Sequence, residues 1–469
     1  MRKTRIIATL GPATESPEML GKMLDAGVDI FRLNMSHARH DWVRRVVPEI
    51  RRLGRLRGLI PGILMDTQGP SIRTGDVPER IPLAAGERFV FTVGDAVVPP
   101  GTKGTSVNYP DFVTDVRAGD TLIIDNGEMK MRVVATHPDR VECEVMTVGG
   151  LGSRRHINLP GVRVSLPALT EKDRADVKLG LELGVDYVAL SFVRDPADIA
   201  MLRACLHGTS HPPQIVAKIE HQFAVDHFEA IARDSDAVMV ARGDLGIECP
   251  YEELPIIQRR IVKTCQRIGR PVIVATHMLE SMIENPLPTR AEITDVANAV
   301  FEQADAIMLS GETTVGRQPM ACVEVMDRIA RRIERSGGAG YHAEAELTQP
   351  RQKLVRSAVM LADNLRAAAI LVFTRNGKLA RYTSWMRPSF SPIYAFCDRE
   401  PLAAQLKLLR GVTPIVLPSS HDDPDGSVDG AILRLMRGHR LKRGDTVVIL
   451  VPHATSNDRE VDSVKMHVV

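Results

Sequence analysis

Short apolar runs recur along the chain, and most of them are followed within a few residues by a charged or hydroxyl side chain. Apolar, β-branched runs of this length, separated by stretches with helical spacing, are typical of parallel strands that are buried on both faces. The runs that we expect to be strands are 5–10, 30–33, 63–65, 187–190, 215–219, 237–240, 272–275 and 306–309. Eight strands alternating with helices predict a closed (β/α)8 TIM barrel, and an open doubly wound sheet is the alternative.

The third and fourth predicted strands are separated by far more chain than one helix requires. Between about residues 69 and 165, glycine and proline are frequent and apolar residues alternate with polar ones, as in 129–134. Such alternation, with turn signals such as Asp125-Asn126-Gly127, predicts a small all-β insert. Because the insert leaves the barrel from a loop on the active-site face, we expect it to act as a lid.

After a glycine-rich linker at 336–340, the tail has its own alternation of strands and helices. The strands expected there are 369–373, 393–396, 414–417 and 446–450, while 422–426 is expected to be a solvated loop. This order predicts a separate C-terminal α/β domain with a mostly parallel sheet. The predicted division is a first barrel part at 1–68, a β-barrel lid at 69–165, a second barrel part at 166–338 and the C-terminal domain at 339–469.

Composition and charge exclude several classes of function. A chain of 469 residues exceeds what one hydrophobic core usually serves, and its net charge of +2 gives no reason to expect nucleic-acid binding. No apolar run approaches the roughly 20 residues of a membrane span. The six cysteines form no Cys-x-x-Cys pair, which is typical of reduced thiols. We therefore expect a cytoplasmic protein that binds neither nucleic acid nor membrane.

Polar side chains follow seven of the eight predicted barrel strands. One polar residue at a strand end is usually a cap, but seven such ends in succession indicate a site, because the carboxyl ends of barrel strands meet at one face. In strand order they are Arg32, Asn34, Ser36 and His37; Asp66, Thr67 and Arg73; Ser191 and Arg194; Lys218 and Glu220; Arg242, Gly243 and Asp244; Thr276 and His277; and Ser310 and Glu312.

The residue types at these strand ends indicate the kind of chemistry. Glu220 and Asp244 supply two carboxylates, and Lys218 supplies an ammonium beside them. Oxygen ligands without cysteine or histidine pairs favour Mg²⁺ or Mn²⁺ over zinc. Arg32 and Arg73 offer planar guanidinium groups that suit phosphate oxygens. The residues therefore predict a metal-assisted reaction of a small phosphorylated or carboxylated anion, and they do not identify the substrate.

Several motifs, in chain order, resemble those of the pyruvate kinase family. They are RLNMSH at 32–37, DTQGP at 66–70, INLPG at 157–161, KIE at 218–220, VARGDLG at 240–246, ATHMLESM at 275–282, PTRAE at 288–292 and MLSGET at 308–313. The tail is similar more loosely, through RGVTP at 410–414 and GD at 444–445. The resemblance implies phosphoryl transfer from phosphoenolpyruvate to ADP, which gives ATP and, after protonation of the enolate, pyruvate.

The resemblance also implies a role for each matching residue. It implies that Glu220 and Asp244 hold the divalent ion, and that Lys218 stabilises charge on the phosphoryl group and the enolate. Residues that resemble phosphoenolpyruvate contacts are Arg32, Ser191, Lys218, Gly243, Asp244 and Thr276, of which Lys218, Arg32 and Thr276 are catalytic. Residues that resemble nucleotide contacts are Asn34, Met35, Ser36, His37, Arg73 and Arg155. Residues that resemble K⁺ ligands are Asn34, Ser36, Asp66 and Thr67.

The chain departs from the family pattern at a few positions around the site. Gln68 stands where a lysine is frequent, His156 where a glycine is frequent, and His277 where a glutamine is frequent. At Ser71 the family carries glutamate when it requires K⁺ and lysine when it does not, and serine supplies neither charge. Since the oxygen ligands resembling the K⁺ site are all present, we expect K⁺ to stimulate the enzyme.

In the tail, one loop resembles the family's site for an effector phosphate. Its residues are Thr374, Arg375, Asn376, Gly377 and Lys378, and the closing serine or threonine of the family loop is missing. The last segment, 452–466, does not match the family's sugar-bisphosphate loop. Any phosphate effector is therefore expected to be a monophosphate, not fructose 1,6-bisphosphate. The resemblance further implies a homotetramer.

Two other functions fit part of the pattern. Another Mg²⁺-dependent enolate barrel, such as an aldolase or lyase acting on pyruvate, would share Glu220 and Asp244 but would not need the lid or Arg73. A regulatory protein that kept the scaffold without catalysis would not need an intact Lys218 or Thr276. Formation of pyruvate from phosphoenolpyruvate and ADP distinguishes the three.

Overall fold

The computed structural model describes residues 2–125, 127–417, 424–454 and 460–469. Its first part contains three buried strands alternating with two helices. These elements are β1 (Arg5–Thr9), α1 (Pro17–Asp25), β2 (Ile30–Asn34), α2 (His40–Leu56) and β3 (Gly62–Asp66). Helix α1 begins where the Ser16 side chain accepts a hydrogen bond from the Met19 amide, and Pro17 fits the first turn because an amide there has no partner within the helix.

The lid follows β3 and is built almost entirely of short strands. They are β4 (Ile81–Leu83), β5 (Arg88–Thr92), β6 (Lys103–Ser106), β7 (Thr121–Ile124), β8 (Met129–Thr136), β9 (Arg140–Val145), β10 (Gly149–Leu151) and β11 (Ile157–Asn158), with the short helix α3 (Phe112–Asp115) after β6. Strands β4 and β10 form one sheet, and the order β11-β7-β8-β9-β5-β6 forms another. Their core contains Phe89, Phe91 and Phe112. The predicted turn at 125–127 includes Asn126, which lies outside the described residues.

The second part of the barrel supplies five more strands. Its strands are β12 (Tyr187–Leu190), β13 (Gln214–Ile219), β14 (Ala237–Ala241), β15 (Val272–Ala275) and β16 (Ala306–Leu309). Its helices are α4 (Glu171–Leu183), α5 (Pro196–Cys205), α6 (Gln222–Asp226), α7 (Phe228–Asp234), α8 (Arg242–Glu248), α9 (Leu254–Ile268), α10 (Arg290–Phe301), α11 (Gly311–Thr314) and α12 (Pro319–Glu334). Short 3-10 helices lie at Glu280–Ile283 and Tyr341–Glu344.

The eight parallel strands close into a barrel in the order β1-β16-β15-β14-β13-β12-β3-β2. Strand β1 pairs with both β2 and β16, so the open doubly wound sheet is excluded. All eight predicted strands are confirmed, and each end differs from the prediction by at most one residue. Side chains such as Ile7, Leu64 and Val216 fill the barrel interior, which is a packed core and not a pore, so the polar groups of a site must lie where the strands end.

Both chain crossings between barrel and lid are fastened to the same carboxylate. Asp173, fully buried in the first turn of α4, accepts hydrogen bonds from the Gln68 and Gly69 amides at 3.0 and 3.1 Å. Its other oxygen accepts from the Thr170 amide at 3.0 Å and the Thr170 hydroxyl at 2.6 Å. The segment that enters the lid and the segment that leaves it are therefore held together at the barrel.

The tail forms a second α/β unit around a five-stranded sheet. Its elements are α13 (Pro350–Leu365), β17 (Ala369–Phe373), α14 (Lys378–Trp385), β18 (Ile393–Cys397), α15 (Glu400–Gln405), β19 (Val412–Val416), α16 (Pro424–Arg437), β20 (Thr446–Ala454) and β21 (Glu460–Val468). The sheet order is β19-β18-β17-β20-β21, in which β21 is antiparallel to β20. Strand β21 was not predicted. The predicted loop at 422–426 is wrong from Pro424 onward, where α16 begins, and 422–423 lie outside the described residues.

The barrel packs on the tail through buried polar contacts at the end away from the lid. The Tyr187 hydroxyl lies 3.0 and 2.8 Å from the carbonyl oxygens of Ala404 and Gln405. Arg387 forms a buried ion pair with Asp305 at 2.7 Å. Such contacts fix the tail to the amino-terminal ends of the barrel strands, opposite the carboxyl ends where the site is expected. Among the described residues, no helix has the length and apolar character that a membrane crossing requires.

Candidate active site

Many of the predicted strand-end residues line a cavity of about 440 Å³ between the barrel and the lid. The barrel residues lining it are Arg32, Asn34, Ser36, His37, Thr67, Ser191, Lys218, Glu220 and Asp244. The lid and hinge residues lining it include Gln68, Ser71, Arg73, Arg155 and His156. The structure therefore brings together residues from strands that are distant in the chain, as the barrel prediction requires.

Lys218 lies at the centre of this group and is almost fully buried. Its ammonium is 2.8 Å from Glu220 Oε1 and 3.1 Å from Asp66 Oδ1, and it donates to the Ser191 hydroxyl at 2.7 Å. Burial opposes the charged form, but Asp66 and then Glu220 outweigh it and raise the pKa of Lys218 well above its ordinary value. The ammonium is thus permanently charged, and its three protons have fixed acceptors.

Asp66 joins Lys218 to the second cation of the site, Arg32. Arg32 Nε donates to Asp66 Oδ2 at 2.6 Å, and Arg32 Nη1 donates to the Thr9 hydroxyl at 3.0 Å. Burial alone would raise the pKa of Asp66, but Lys218 and Arg32 more than offset it and hold that pKa below its ordinary value. Asp66 is therefore ionised and compensated by two cations, which orients the free edge of the Arg32 guanidinium.

Glu220 and Asp244 are the two carboxylates available for a cation. Glu220 is 1% exposed, and its Oε2 accepts a hydrogen bond from the Phe192 amide at 2.6 Å. Burial raises the pKa of Glu220; Lys218 opposes the rise and the negative charge of Asp244 adds to it. Two hard oxygen donors that repel each other in a dry site fit a divalent ion such as Mg²⁺. Among the described residues, no group of three or more histidine, cysteine, aspartate or glutamate side chains is arranged to hold a metal ion.

The oxygen groups that resemble a K⁺ site lie next to Asp66. The Asn34 side-chain oxygen accepts from the Ser36 amide at 3.2 Å. The Thr67 hydroxyl lies 3.1 Å from the Ala189 carbonyl oxygen and accepts from the Ser191 amide at 3.2 Å. Asn34, Ser36 and Thr67 line the cavity, whereas Asp66 is turned toward Arg32 and Lys218.

Thr276 is held at the edge of the site by a strained loop. Thr276 and His277 both have positive φ angles, of 65° and 54°, which side chains rarely adopt. The Thr276 hydroxyl accepts from the Gly243 amide at 2.7 Å and donates to the Ala275 carbonyl at 2.6 Å. Helix α8 begins beside this loop, so Thr276 and Gly243 lie next to Asp244, which lines the cavity.

Some strand-end residues support the site and do not line this cavity. Arg242 donates to the carbonyl oxygen of Thr276 at 2.5 Å and pairs with Asp295 at 2.7 Å, which holds the strained loop in place. Arg194 donates to the carbonyl oxygens of Val164 and Leu166, in the segment that leaves the lid. Glu312, fully buried, accepts hydrogen bonds from two loop amides, those of Leu279 and Ser310.

A second cavity, of about 890 Å³, adjoins the first and shares Arg32, Asn34 and His37 with it. Pro12 and Trp42 form part of its wall. Neither residue was predicted from the sequence, although a tryptophan five positions after His37, in the first turn of the helix that borders the cavity, is a detectable signal. Leu10, Pro12, Ala38 and Trp42 give the cavity an apolar part that suits a flat base, and charged residues such as Arg39 and Asp41 line the rest.

The predicted effector loop lies in the tail, apart from both cavities. The Thr374 amide donates to the Phe396 carbonyl at 2.9 Å, and the Lys378 amide donates to the Asn376 side chain at 3.1 Å. Gly377 has a φ of 80° and immediately precedes α14. The loop is a strand-to-helix turn closed by Asn376.

Comparison with known proteins identifies the family. The chain matches the family model "Pyruvate kinase, barrel domain" over residues 1–323 and "Pyruvate kinase, alpha/beta domain" over residues 352–467. It is 40% identical to plastidial pyruvate kinase 2 of Arabidopsis thaliana, covering 96% of this chain and 78% of the relative. It is 36% identical to a pyruvate kinase of Staphylococcus epidermidis, covering 100% and 81%. The crystal structure of a pyruvate kinase from Cryptosporidium parvum superposes with a TM-score of 0.93 at 34% identity, covering 100% of this chain and 96% of that one.

His156 should make the fold sensitive to acid. Burial, and then the charge of Arg73, lower the pKa of His156 to about 4 against the opposing charge of Glu220. Between pH 6.5 and 4 the His156 imidazole is protonated in the unfolded chain and neutral in the folded protein. The free energy of unfolding therefore falls as the pH falls. We expect His156→Gln to be less destabilised than the parent on going from pH 8 to pH 5, by about 2 kcal/mol. Urea unfolding at both pH values measures the difference, and an equal loss in both proteins would contradict it.

Proposed function

The chain belongs to the pyruvate kinase family, and from that membership we propose how its own residues carry out the reaction. The family reaction transfers the phosphoryl group of phosphoenolpyruvate to ADP, giving pyruvate and ATP in the last step of glycolysis. The observation that carries the proposal is the buried cluster of Lys218, Asp66, Arg32 and Glu220 beside Asp244. A lactate-dehydrogenase-coupled assay for pyruvate from phosphoenolpyruvate and ADP tests it, and excludes an aldolase or lyase if both substrates are required.

Phosphoenolpyruvate is proposed to bind with its phosphate beside Arg32 and Lys218. The Arg32 guanidinium and the Lys218 ammonium are already oriented by Asp66, so little reorganisation is required when charge develops on the phosphoryl oxygens. Ser191, which accepts a hydrogen bond from Lys218 and donates to the Thr67 carbonyl at 2.7 Å, keeps the ammonium in position. The same ammonium stabilises the enolate left after transfer.

Glu220 and Asp244 are proposed to hold Mg²⁺ or Mn²⁺. When bound, the ion supplies positive charge that neutralises phosphoryl and carboxylate oxygens. The protein's contribution is to fix the two carboxylates. The Phe192 amide and Lys218 anchor Glu220, while the start of α8 carries Asp244.

Thr276 is proposed to lie beside the methylene carbon of the enolate. The carbon gains a proton there, which gives the methyl group of pyruvate, and the hydroxyl group can pass on a proton from solvent because its oxygen both donates and accepts. Gly243 and Ala275 fix the oxygen of that hydroxyl through the two hydrogen bonds described above. The strained loop, held by Arg242, keeps the group at the cavity edge.

ADP is proposed to place its base in the second cavity, near Trp42 and Pro12, and its phosphates toward the first. The residues proposed to contact it are Asn34, Met35, Ser36, His37, Arg73 and Arg155. The two arginines reach the phosphates from the lid, where Arg73 Nη1 donates to the Arg154 carbonyl and Arg155 Nη1 pairs with Asp125 at 3.2 Å. Lid closure then excludes water from the transfer.

The remaining expectations are proposals by family membership. We propose a cytoplasmic homotetramer, with divisions at residues 68/69, 165/166 and 338/339. We propose that the loop of Thr374, Arg375, Asn376, Gly377 and Lys378 binds the phosphate of a monophosphorylated effector. The second phosphate loop of the family would involve 452–466, of which 455–459 lie outside the described residues.

Lys218→Met should lower kcat by about a hundredfold or more while changing the KM for phosphoenolpyruvate much less, because the lost ammonium acts mainly on charge that grows in the transition state. Steady-state kinetics measures both constants, and circular dichroism confirms that the variant folds although Glu220 loses its cation and Asp66 keeps only Arg32. Lys178→Met, an exposed lysine on α4, is the matched control. A folded Lys218→Met enzyme with normal kcat would refute the assignment.

Glu220→Gln and Asp244→Asn should each raise the concentration of Mg²⁺ needed for half-maximal activity by about tenfold or more, since each removes one of two anionic ligands. Binding of Mn²⁺ to the free protein, followed by its electron paramagnetic resonance signal, should weaken in both variants without reference to turnover. Glu252→Gln, an exposed carboxylate after α8, should leave both measurements unchanged. Unaltered Mn²⁺ binding in either site variant would exclude a shared ion.

K⁺ should stimulate activity, because Asn34, Ser36 and Thr67 present oxygen atoms at the cavity and Ser71 supplies no ammonium that could replace the ion. Activity is measured in tetramethylammonium buffer as K⁺ is added at constant ionic strength. A flat response would mean that Arg32 and Lys218, which compensate Asp66 in the structure, already balance the charge.

A further inference from the structure

A narrow cavity of about 70 Å³ separates the lid from the barrel beside the active site. Its wall is largely apolar, with Ile72, Leu159 and Phe223 among its residues. Two polar side chains meet in it. Asn158, the last residue of lid strand β11, donates from Nδ2 to Oε1 of Glu248, the last residue of barrel helix α8, at 3.0 Å. Neither residue has a role in the proposed reaction.

Both side chains are at least partly buried, and the bond between them satisfies only part of their hydrogen-bonding capacity. Asn158 is 4% exposed, and its side-chain oxygen has no hydrogen-bond partner among the described residues. Burial raises the pKa of Glu248 to about 7; the bond from Asn158 lowers it, and the charge of Asp244 adds to the rise. Burying a carboxyl group near another carboxylate costs free energy, which the hydrogen bond from Asn158 partly offsets.

The bond connects the two walls of the active site. On the lid, Asn158 follows Arg155 and His156, which line the active-site cavity. On the barrel, Glu248 ends the same seven-residue helix whose first turn carries Gly243 and Asp244. Arg155 and Asp244 therefore lie only three and four residues along the chain from the two side chains that make this bond.

We propose that Asn158 and Glu248 are positioning residues that latch the lid to helix α8 and thereby hold Arg155 and Arg73 over the nucleotide phosphates. The latch rests on the proposed function, since its effect is on the nucleotide that those arginines contact. It acts through the lid and touches neither the substrate nor the metal ligands. Its loss should weaken nucleotide binding and leave the chemical step largely intact.

Three single variants are expected to change the KM for ADP differently. Glu248→Ala and Asn158→Ala each remove the bond and should raise the KM for ADP about threefold to tenfold, the factor that one buried hydrogen bond contributes, with little change in kcat. Glu248→Gln should not, because its carbonyl still accepts from Asn158 Nδ2 and its amide can donate to the unpaired Asn158 oxygen. Two bonds then replace one, so the KM for ADP should be equal to or below that of the parent.

The double variant tests whether the two residues act through one bond. Glu248→Ala with Asn158→Ala should raise the KM for ADP no more than either single change, because the bond can be lost only once. Glu252→Ala, an exposed carboxylate four residues beyond Glu248, is the control and should match the parent. Additive effects, or a Glu248→Ala enzyme with the parent's KM, would overturn the latch.

Hydrogen exchange detects the latch without any turnover. Amides of 157–168, at the base of the lid, should exchange faster in Glu248→Ala and Asn158→Ala and no faster in Glu248→Gln, while amides of the barrel strands stay unchanged. Equal exchange in all variants would overturn the proposal even if kinetics changed. A parent protein that forms no pyruvate would instead refute the proposed function, and the exchange measurement would still decide on the latch.

Discussion

The site depends on the position of one ammonium group between two carboxylates. Without this cation, burial of those carboxylates in their ionised form would be strongly unfavourable. Lys218 lies within 3.1 Å of both Asp66 and Glu220, and all three side chains are nearly excluded from water. Each charge alone would cost several kcal/mol to bury. Together with Arg32 they form an alternating chain of charges in which every member has an opposite neighbour. Catalytic groups can therefore remain ionised and rigid, which is the condition for electrostatic stabilisation of phosphoryl transfer.

Backbone strain is concentrated around this chain of charges. Phe192, Thr276 and His277 all have positive φ angles shortly after barrel strands, and hydrogen bonds hold the first two. The Phe192 amide bonds to Glu220, and Arg242 bonds to the Thr276 carbonyl. Relaxing either loop would release a charged or hydroxyl group from the position that the reaction requires. The barrel supplies rigid strand ends, and the strain lies where the chain leaves them.

The fold was largely predictable because parallel strands buried on both faces leave an unmistakable pattern, and the eight barrel strands were found to within one residue. Strand β21 was not, because an antiparallel edge strand alternates apolar Val464 and Met466 with polar residues and forms no continuous run. The convergence of Lys218, Glu220 and Asp244 on one face followed from strand ends alone. The structural contacts of Arg242, Glu248 and Asn158 could not be predicted in this way. A polar residue that holds a loop or bonds to another side chain looks the same in a sequence as one that binds a ligand.

The hinge of the lid packs directly against residues that bond to Lys218 and Glu220. Gly69, where the chain enters the lid, has a φ of 70°, and a Cβ there would come within 2.8 Å of the Phe192 ring and 2.9 Å of Ser191 Cβ. The hinge thus packs against Phe192, whose amide donates to Glu220, and against Ser191, whose hydroxyl accepts from Lys218. Asp173 fixes the Gly69 amide from the other side. Because Gly69 is fixed on one side by Asp173 and packed on the other against Ser191 and Phe192, a rotation of the lid about this glycine would move Arg73 and Arg155 while leaving Lys218 and Glu220 in place.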